Sequence, residues 1–124
     1  MEKVGTFHCG TSNVVLPVPN KTHFPIEFQS QSRLRYYASL LNTVEINSSF
    51  YKIPQAVTIE KWANDVPADF RFTFKLWKGV THVKDLNYAL ADVNRFMESI
   101  HFAGDKNLRI GKFNFINLNF FIRY

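Results

Sequence analysis

This sequence has little of several things that would narrow its function at once. It has a single cysteine, Cys9, among 124 residues. No internal disulfide can form, and the chain suits a reducing compartment. Met1-Glu2-Lys3 opens on a short mixed run, not the long apolar run of a secretory leader. No apolar stretch is long enough to span a membrane, so cytoplasm is the expectation. There is no P-loop and no GxGxxG, which leaves nucleotide binding without a motif. His8, His23 and His101 have no ligand-like spacing, and no Cys or His cluster supports zinc, so no metal is expected. The cofactor is left open.

Acidic residues are also scarce at one end. Residues 105–124 carry Lys106, Arg109, Lys112 and Arg123 against Asp105 alone. Most of the formal charge of +5 therefore sits in the tail. Net charge alone is weak support for nucleic acid as a partner.

What the chain does have is an apolar inventory. Hydrophobic residues make up 46%, and 13 are Phe. One domain of this length can bury a core. Two runs alternate strictly. In Thr43-Val44-Glu45-Ile46-Asn47, Val44 and Ile46 share one face and Glu45 and Asn47 the other. From Phe70 to Leu76, Phe70, Phe72, Phe74 and Leu76 oppose Arg71, Thr73 and Lys75. Period-2 alternation marks strands between two different environments. The expected strands cover about 7–12, 43–50 and 69–77.

Helical spacing fills the gaps. Leu34, Tyr37, Ala38 and Leu41 form one stripe after Ser32, a plausible N-cap, with Asn42 suited to stop it in the left-handed region. Ile59, Trp62, Ala63 and Val66 form a second, with Thr58 as a cap and Pro67 as a stop. Leu86, Ala89, Leu90, Val93, Met97 and Ile100 form a third, ending near Gly104. Strand, helix, strand implies parallel pairs joined by crossovers. The charged strand face is then a second interior. The loop from Asn13 to Gln31, with Pro17, Pro19 and Pro25, is long for a strand-to-helix connection, and such loops are more often functional.

Several blocks in order carry a family resemblance: Gly10-Thr11-Ser12 followed by NVVLPVPNK, then YYASLLNTVEINSSFYKIP, FRFTFKLW, Thr81-His82 and Gly104-Asp105-Lys106. The sequence resembles the YecE-like family, domain of unknown function 72. The subgroup is one with the VVLPVPN loop, since most members follow Gly-Thr-Ser with Gly-Trp. The resemblance implies an α/β fold, a TIM-type (β/α) barrel with no established activity, of which this chain would supply three to four of eight units. It covers about residues 7–106 and stops where the Asn- and Phe-rich stretch 107–124 begins. Residues 1–106 are expected to be the N-terminal half of the barrel, and 107–124 an aberrant tail or a poorly packed fourth strand. A truncation or a shifted reading frame would produce both features.

In such a barrel, functional groups gather at the C-terminal ends of the strands. The candidates for catalysis are Glu45, Lys75 and His82: a carboxylate and an ammonium on neighbouring strands, and a histidine just beyond. The candidates for ligand binding are Gly10, Thr11, Ser12, Asn47 and Tyr51, for backbone approach, hydroxyls, an amide and a phenol. Trp77 and Lys78 are weaker candidates for the rim. Arg71 belongs to the barrel bottom, and Cys9 is a structural thiol facing the helices. Three functions compete. The chain is a family fragment, inactive on its own and able to self-associate through an exposed strand edge. Alternatively it is a hydrolase- or isomerase-type enzyme on a polar or anionic small molecule. The third reading is a module that binds phosphate, sugar or nucleic acid.

Overall fold

The computed structural model describes residues 5–106 and 120–123. Four strands form one sheet in the order β3-β2-β1-β4. They are β1 (His8–Ser12), β2 (Thr43–Ile46), β3 (Arg71–Phe74) and β4 (Phe120–Arg123). The helices are α1 (Arg33–Leu40), α2 (Ser48–Tyr51), α3 (Ala56–Asn64), α4 (Lys78–Thr81) and α5 (Leu90–His101). β1 pairs with β2, and β2 with β3, both in parallel. This is an α/β fold in which α1, α3 and α5 follow successive parallel strands.

The alternating faces fall as the spacing predicts. Val44 pairs with Phe72, Glu45 with Thr73, and Ile46 with Phe74. Parallel neighbours in register share a face, so one face of β2 and β3 is apolar and the other polar. The apolar face packs with Leu34, Tyr37, Val66 and Phe70 into one core cluster. Tyr37, Val44, Phe70 and Phe72 are almost wholly buried there. A second cluster joins Ile59 of α3 to Phe96 and Ile100 of α5, with Phe74, Leu76 and Trp77 against it.

Local boundaries differ from the sequence reading in ways that have physical causes. β2 ends at Ile46, and Ser48–Tyr51 turns into a short helix. The Ser49 hydroxyl lies 2.9 Å from the Ile46 carbonyl and 2.6 Å from that of Lys75, so it bridges the ends of two strands. Ser32 does cap α1, accepting from the Arg35 amide. Thr58 caps nothing, because α3 starts earlier, after Gln55. Asn42 is not a left-handed stop. Leu41 leaves α1 in extended backbone (φ −134°), and the Asn42 amide side chain ties down β1 instead. It accepts from the Cys9 N–H at 2.8 Å and donates to the Phe7 carbonyl at 2.7 Å. Gly104 has φ 58°, as its place just after α5 requires.

The long loop after β1 holds two single 3-10 turns, at Lys21–His23 and Ile26–Phe28. Phe24 and Phe28 pack their rings on Tyr36 at 4.7 and 5.1 Å, which seats this loop on α1. β4 lies antiparallel to β1, with His8 opposite Arg123 and Thr11 opposite Phe120. It sits on the sheet edge away from β3, so this strand does not continue the parallel order. The rest of the expected tail, residues 107–119 and 124, lies outside the described residues.

Candidate functional site

The polar face is built from one row of paired positions. Ser12 pairs with Glu45, and Glu45 with Thr73. The Ser12 hydroxyl donates to Glu45 Oε1 at 3.1 Å. Beyond it the Asn13 N–H reaches the Glu45 carbonyl at 2.9 Å, with Asn13 in the left-handed region at φ 64°. Asn tolerates that conformation better than most residues, so it can turn the chain sharply off the strand end. Glu45 is half-buried, with the Ser12 hydroxyl beside its carboxylate.

Two buried hydroxyls of the same face are not among the candidates read from the sequence. Among the described residues Thr43 Oγ1 and Thr73 Oγ1 have no hydrogen-bond partner, and the two residues are 0% and 5% exposed. Buried hydroxyls without partners are uncommon and unfavourable. Parity was the available signal, since Thr43 and Thr73 alternate in step with Glu45. Charge drew attention away from them. Arg71 shares this face at its lower end, where its guanidinium donates to the carbonyls of Ala68 and Phe70 at 2.7 and 2.9 Å.

Gly10 and Thr11 have structural surroundings. A Cβ on Gly10 would lie 1.9 Å from the Thr43 carbonyl oxygen, so only glycine lets β1 approach β2 this closely. Thr11 faces α1 and is 4% exposed. Its N–H donates to Tyr37 Oη at 2.8 Å, and its hydroxyl donates to the Asn13 carbonyl at 2.6 Å. Tyr37 in turn donates to the Thr43 carbonyl at 2.7 Å, so one phenol bridges two strands. Burial pushes the Tyr37 phenol above its ordinary pKa, against the lowering effect of the Thr11 hydrogen bonds.

The expected catalytic trio is only partly assembled. Lys75 and His82 meet on Phe50: the ammonium lies 4.8 Å from the ring centroid, and the imidazole packs edge-on at 5.0 Å. Thr81 Oγ1 is 2.8 Å from His82 Nδ1. Glu45 makes no ion pair with Lys75. The ion pairs among the described residues are Arg35–Asp65 and Arg95–Asp92. The reason is geometric: Thr73, not Lys75, lies opposite Glu45. Asn47 is half-buried at the start of α2, where its side chain makes no capping bond. Tyr51 turns outward, with its ring 5.1 Å from Phe50 and Lys78 Nζ 5.8 Å from its own centroid.

Among the described residues no three His, Cys, Asp or Glu side chains gather as a metal set. No described helix is long and apolar enough to cross a membrane.

Comparison with known proteins agrees with this architecture. UPF0759 protein YunF of Bacillus subtilis is 38% identical over 58 residues, which are 47% of this chain and 21% of YunF. Two crystal structures of a DUF72 family protein (EF0366) from Enterococcus faecalis V583 superpose with TM-scores of 0.54 and 0.51, at 30% and 29% identity. The superpositions cover 61% and 60% of this chain but only 30% and 32% of those chains. The aligned parts thus span between a fifth and a third of these relatives. Residues 8–115 match the family described as protein of unknown function DUF72, running past the boundary near 106 that the sequence blocks imply. The match takes in most of the chain, which therefore belongs to the DUF72 family.

Proposed function

We propose that this chain forms the first β/α units of a TIM-type barrel, and that its polar strand face binds a hydroxyl-rich small molecule without turning it over alone. The observation that carries this reading is the Ser12–Glu45 hydrogen bond. It joins the C-terminal ends of two adjacent parallel strands, where barrels place their ligands. A carboxylate beside a serine hydroxyl suits a sugar-like ligand better than an anion. An anionic ligand would need Lys75 beside Glu45, and Lys75 lies over Phe50 instead.

The hydrolase or isomerase reading is weaker for the same reason. General acid–base work needs groups within hydrogen-bond reach of one reacting centre. Glu45 has Ser12 as its partner, while Lys75 and His82 flank an aromatic ring. Inactivity alone also fits the short span shared with the relatives. Self-association is part of the same proposal: among the described residues the outer edge of β3 has no strand partner, and a second copy can pair there.

The test is a backbone-amide NMR titration with a panel of neutral sugars, followed by a day-long watch for products. Shifts at Ser12, Asn13 and Glu45–Asn47, absent in Glu45→Gln at unchanged melting temperature, are the expected result. Shifts elsewhere, or product formation, would sink the proposal.

A further inference from the structure

Tyr51 and Trp77 do not end up beside Glu45. They line a separate surface groove of about 540 Å³ between the segment after α2 and one face of α5. Arg95 and Glu98 contribute from α5 and Phe102 from the residue just after it, with Lys52 on the other wall. Ser99 Oγ donates to the Pro54 carbonyl and so ties the two walls together. Both walls come from elements present in this chain, so the groove needs no further unit to exist.

Its chemistry is unusual for a solvent-facing surface. Tyr51 is 62% exposed and Phe102 51% exposed, although large aromatic rings usually bury. Arg95 lies 5.4 Å from the centroid of Trp77, and Lys78 lies 5.8 Å from that of Tyr51. Lys52 and Arg95 line the groove with Glu98, Lys78 lies beside Tyr51 at its border, and Arg95 also pairs with the Asp92 carboxylate at 3.2 Å. Flat apolar rings beside surplus cations match a ligand with a planar ring and a negative charge. Base-on-aromatic stacking and cation-to-phosphate contact are the two parts of single-strand recognition.

We propose that this groove binds a nucleobase-bearing phosphate, the base stacked on Tyr51 and the phosphate held by Lys52, Lys78 and Arg95. Glu98 supplies an acceptor for an exocyclic amine of the base. The volume falls in the range of small-molecule sites and is ample for one nucleotide. The same chemistry comes from a free nucleotide or from one unit of a single strand. This site is independent of the sugar-binding reading of the polar face.

Two probes separate the sources: adenosine monophosphate, followed through the Trp77 indole signal by NMR, and a short fluorescein-labelled oligoadenylate, followed by anisotropy. Tyr51→Leu and Arg95→Glu should each weaken binding roughly tenfold or more, with unchanged circular dichroism. Tyr51→Phe, which keeps the ring, should retain it. Lys21→Glu, which removes an exposed cation from the distant loop after β1, should leave affinity within about twofold at fixed salt. Tighter binding of the oligonucleotide identifies a single strand as the ligand; equal binding identifies the free nucleotide. The proposal is overturned if neither probe binds, if Tyr51→Phe and Tyr51→Leu behave alike, or if Lys21→Glu weakens binding as much as Arg95→Glu. The last two results would mean that overall charge, not the groove, attracts the probe.

Discussion

The two parallel seams of the sheet are held in different ways. Between β2 and β3 the work is done by apolar packing: Val44 beside Phe72, Ile46 beside Phe74, and Phe70 beneath them. Between β1 and β2 it is done by single polar atoms and one missing side chain. Tyr37 Oη bridges Thr11 and Thr43, the Asn42 side chain ties β1 to the loop before β2, Ser12 holds Glu45, and Gly10 lets the backbones close. The first seam spreads its stability over many contacts, each replaceable by something similar in size. The second concentrates it in a few groups with no substitute, so its tolerance to mutation is narrower than its apolar content suggests.

Substitutions at four positions test that contrast. Phe72→Ala removes a ring buried to 1% exposure and should destabilise by about 4 kcal/mol. Phe72→Leu should recover most of that loss in a urea melt, as a packing seam predicts. Gly10→Ala should cost about 3 kcal/mol, because the new methyl meets the Thr43 carbonyl and the backbone must shift. Here no conservative replacement should rescue, and a stable Gly10→Ser would break the comparison.

Tyr37→Phe keeps the ring and deletes the bridge. It should cost about 2 kcal/mol, since it leaves the Thr11 N–H and Thr43 carbonyl without their partner. It also has a pH signature. The folded phenol titrates above its ordinary value of 10.0, so the folded state holds the proton more tightly than the unfolded chain. That contribution is complete below pH about 10 and is lost as pH rises through the folded pKa. The wild type should lose stability across that window faster than Tyr37→Phe, as alkaline denaturation would measure. Ser12→Ala is the smallest change, about 1 kcal/mol or less for one half-buried hydrogen bond, read from a thermal melt. A loss as large as that of Phe72→Ala would mean the Glu45 row is a structural keystone and not a binding face.

The same contrast explains what the sequence made legible. Alternation and helical stripes report packing, so the faces of the β2–β3 seam and the presence of three helices after the parallel strands could be read from spacing. The third stripe falls largely off the buried face: Leu86 precedes α5, Leu90 and Met97 are exposed, and α5 buries Phe96 and Ser99 along with Ile100. The polar stitches are not periodic. Tyr37 reads as an apolar stripe residue, and nothing in the sequence says that its hydroxyl bridges two strands. Asn42 looks like a helix stop until its side chain is seen on Cys9 and Phe7. Ser48-Ser49-Phe50-Tyr51 continues the strand pattern on paper. In the fold, Ser49 answers two strand-end carbonyls and the chain coils there, which carries Tyr51 outward. Parity set Glu45 on the face opposite Val44 and Phe72, as the strand pairing has it, whereas Lys75 lies beyond the end of β3 and its ammonium rests over Phe50. β4 could not be placed, since a short apolar strand gives no sign of which sheet edge it will take.

The position of β4 has a consequence for assembly. The outer edge of β1 accepts one strand, and Phe120–Arg123 already hold it antiparallel. A newcomer that pairs with β1 itself must exchange with β4, so its net affinity is a difference between two pairings. At β3 a newcomer simply adds. The β3 and β1 edges therefore obey different kinetics: recruitment at β3 should follow concentration alone, whereas pairing with β1 should wait on the departure of β4.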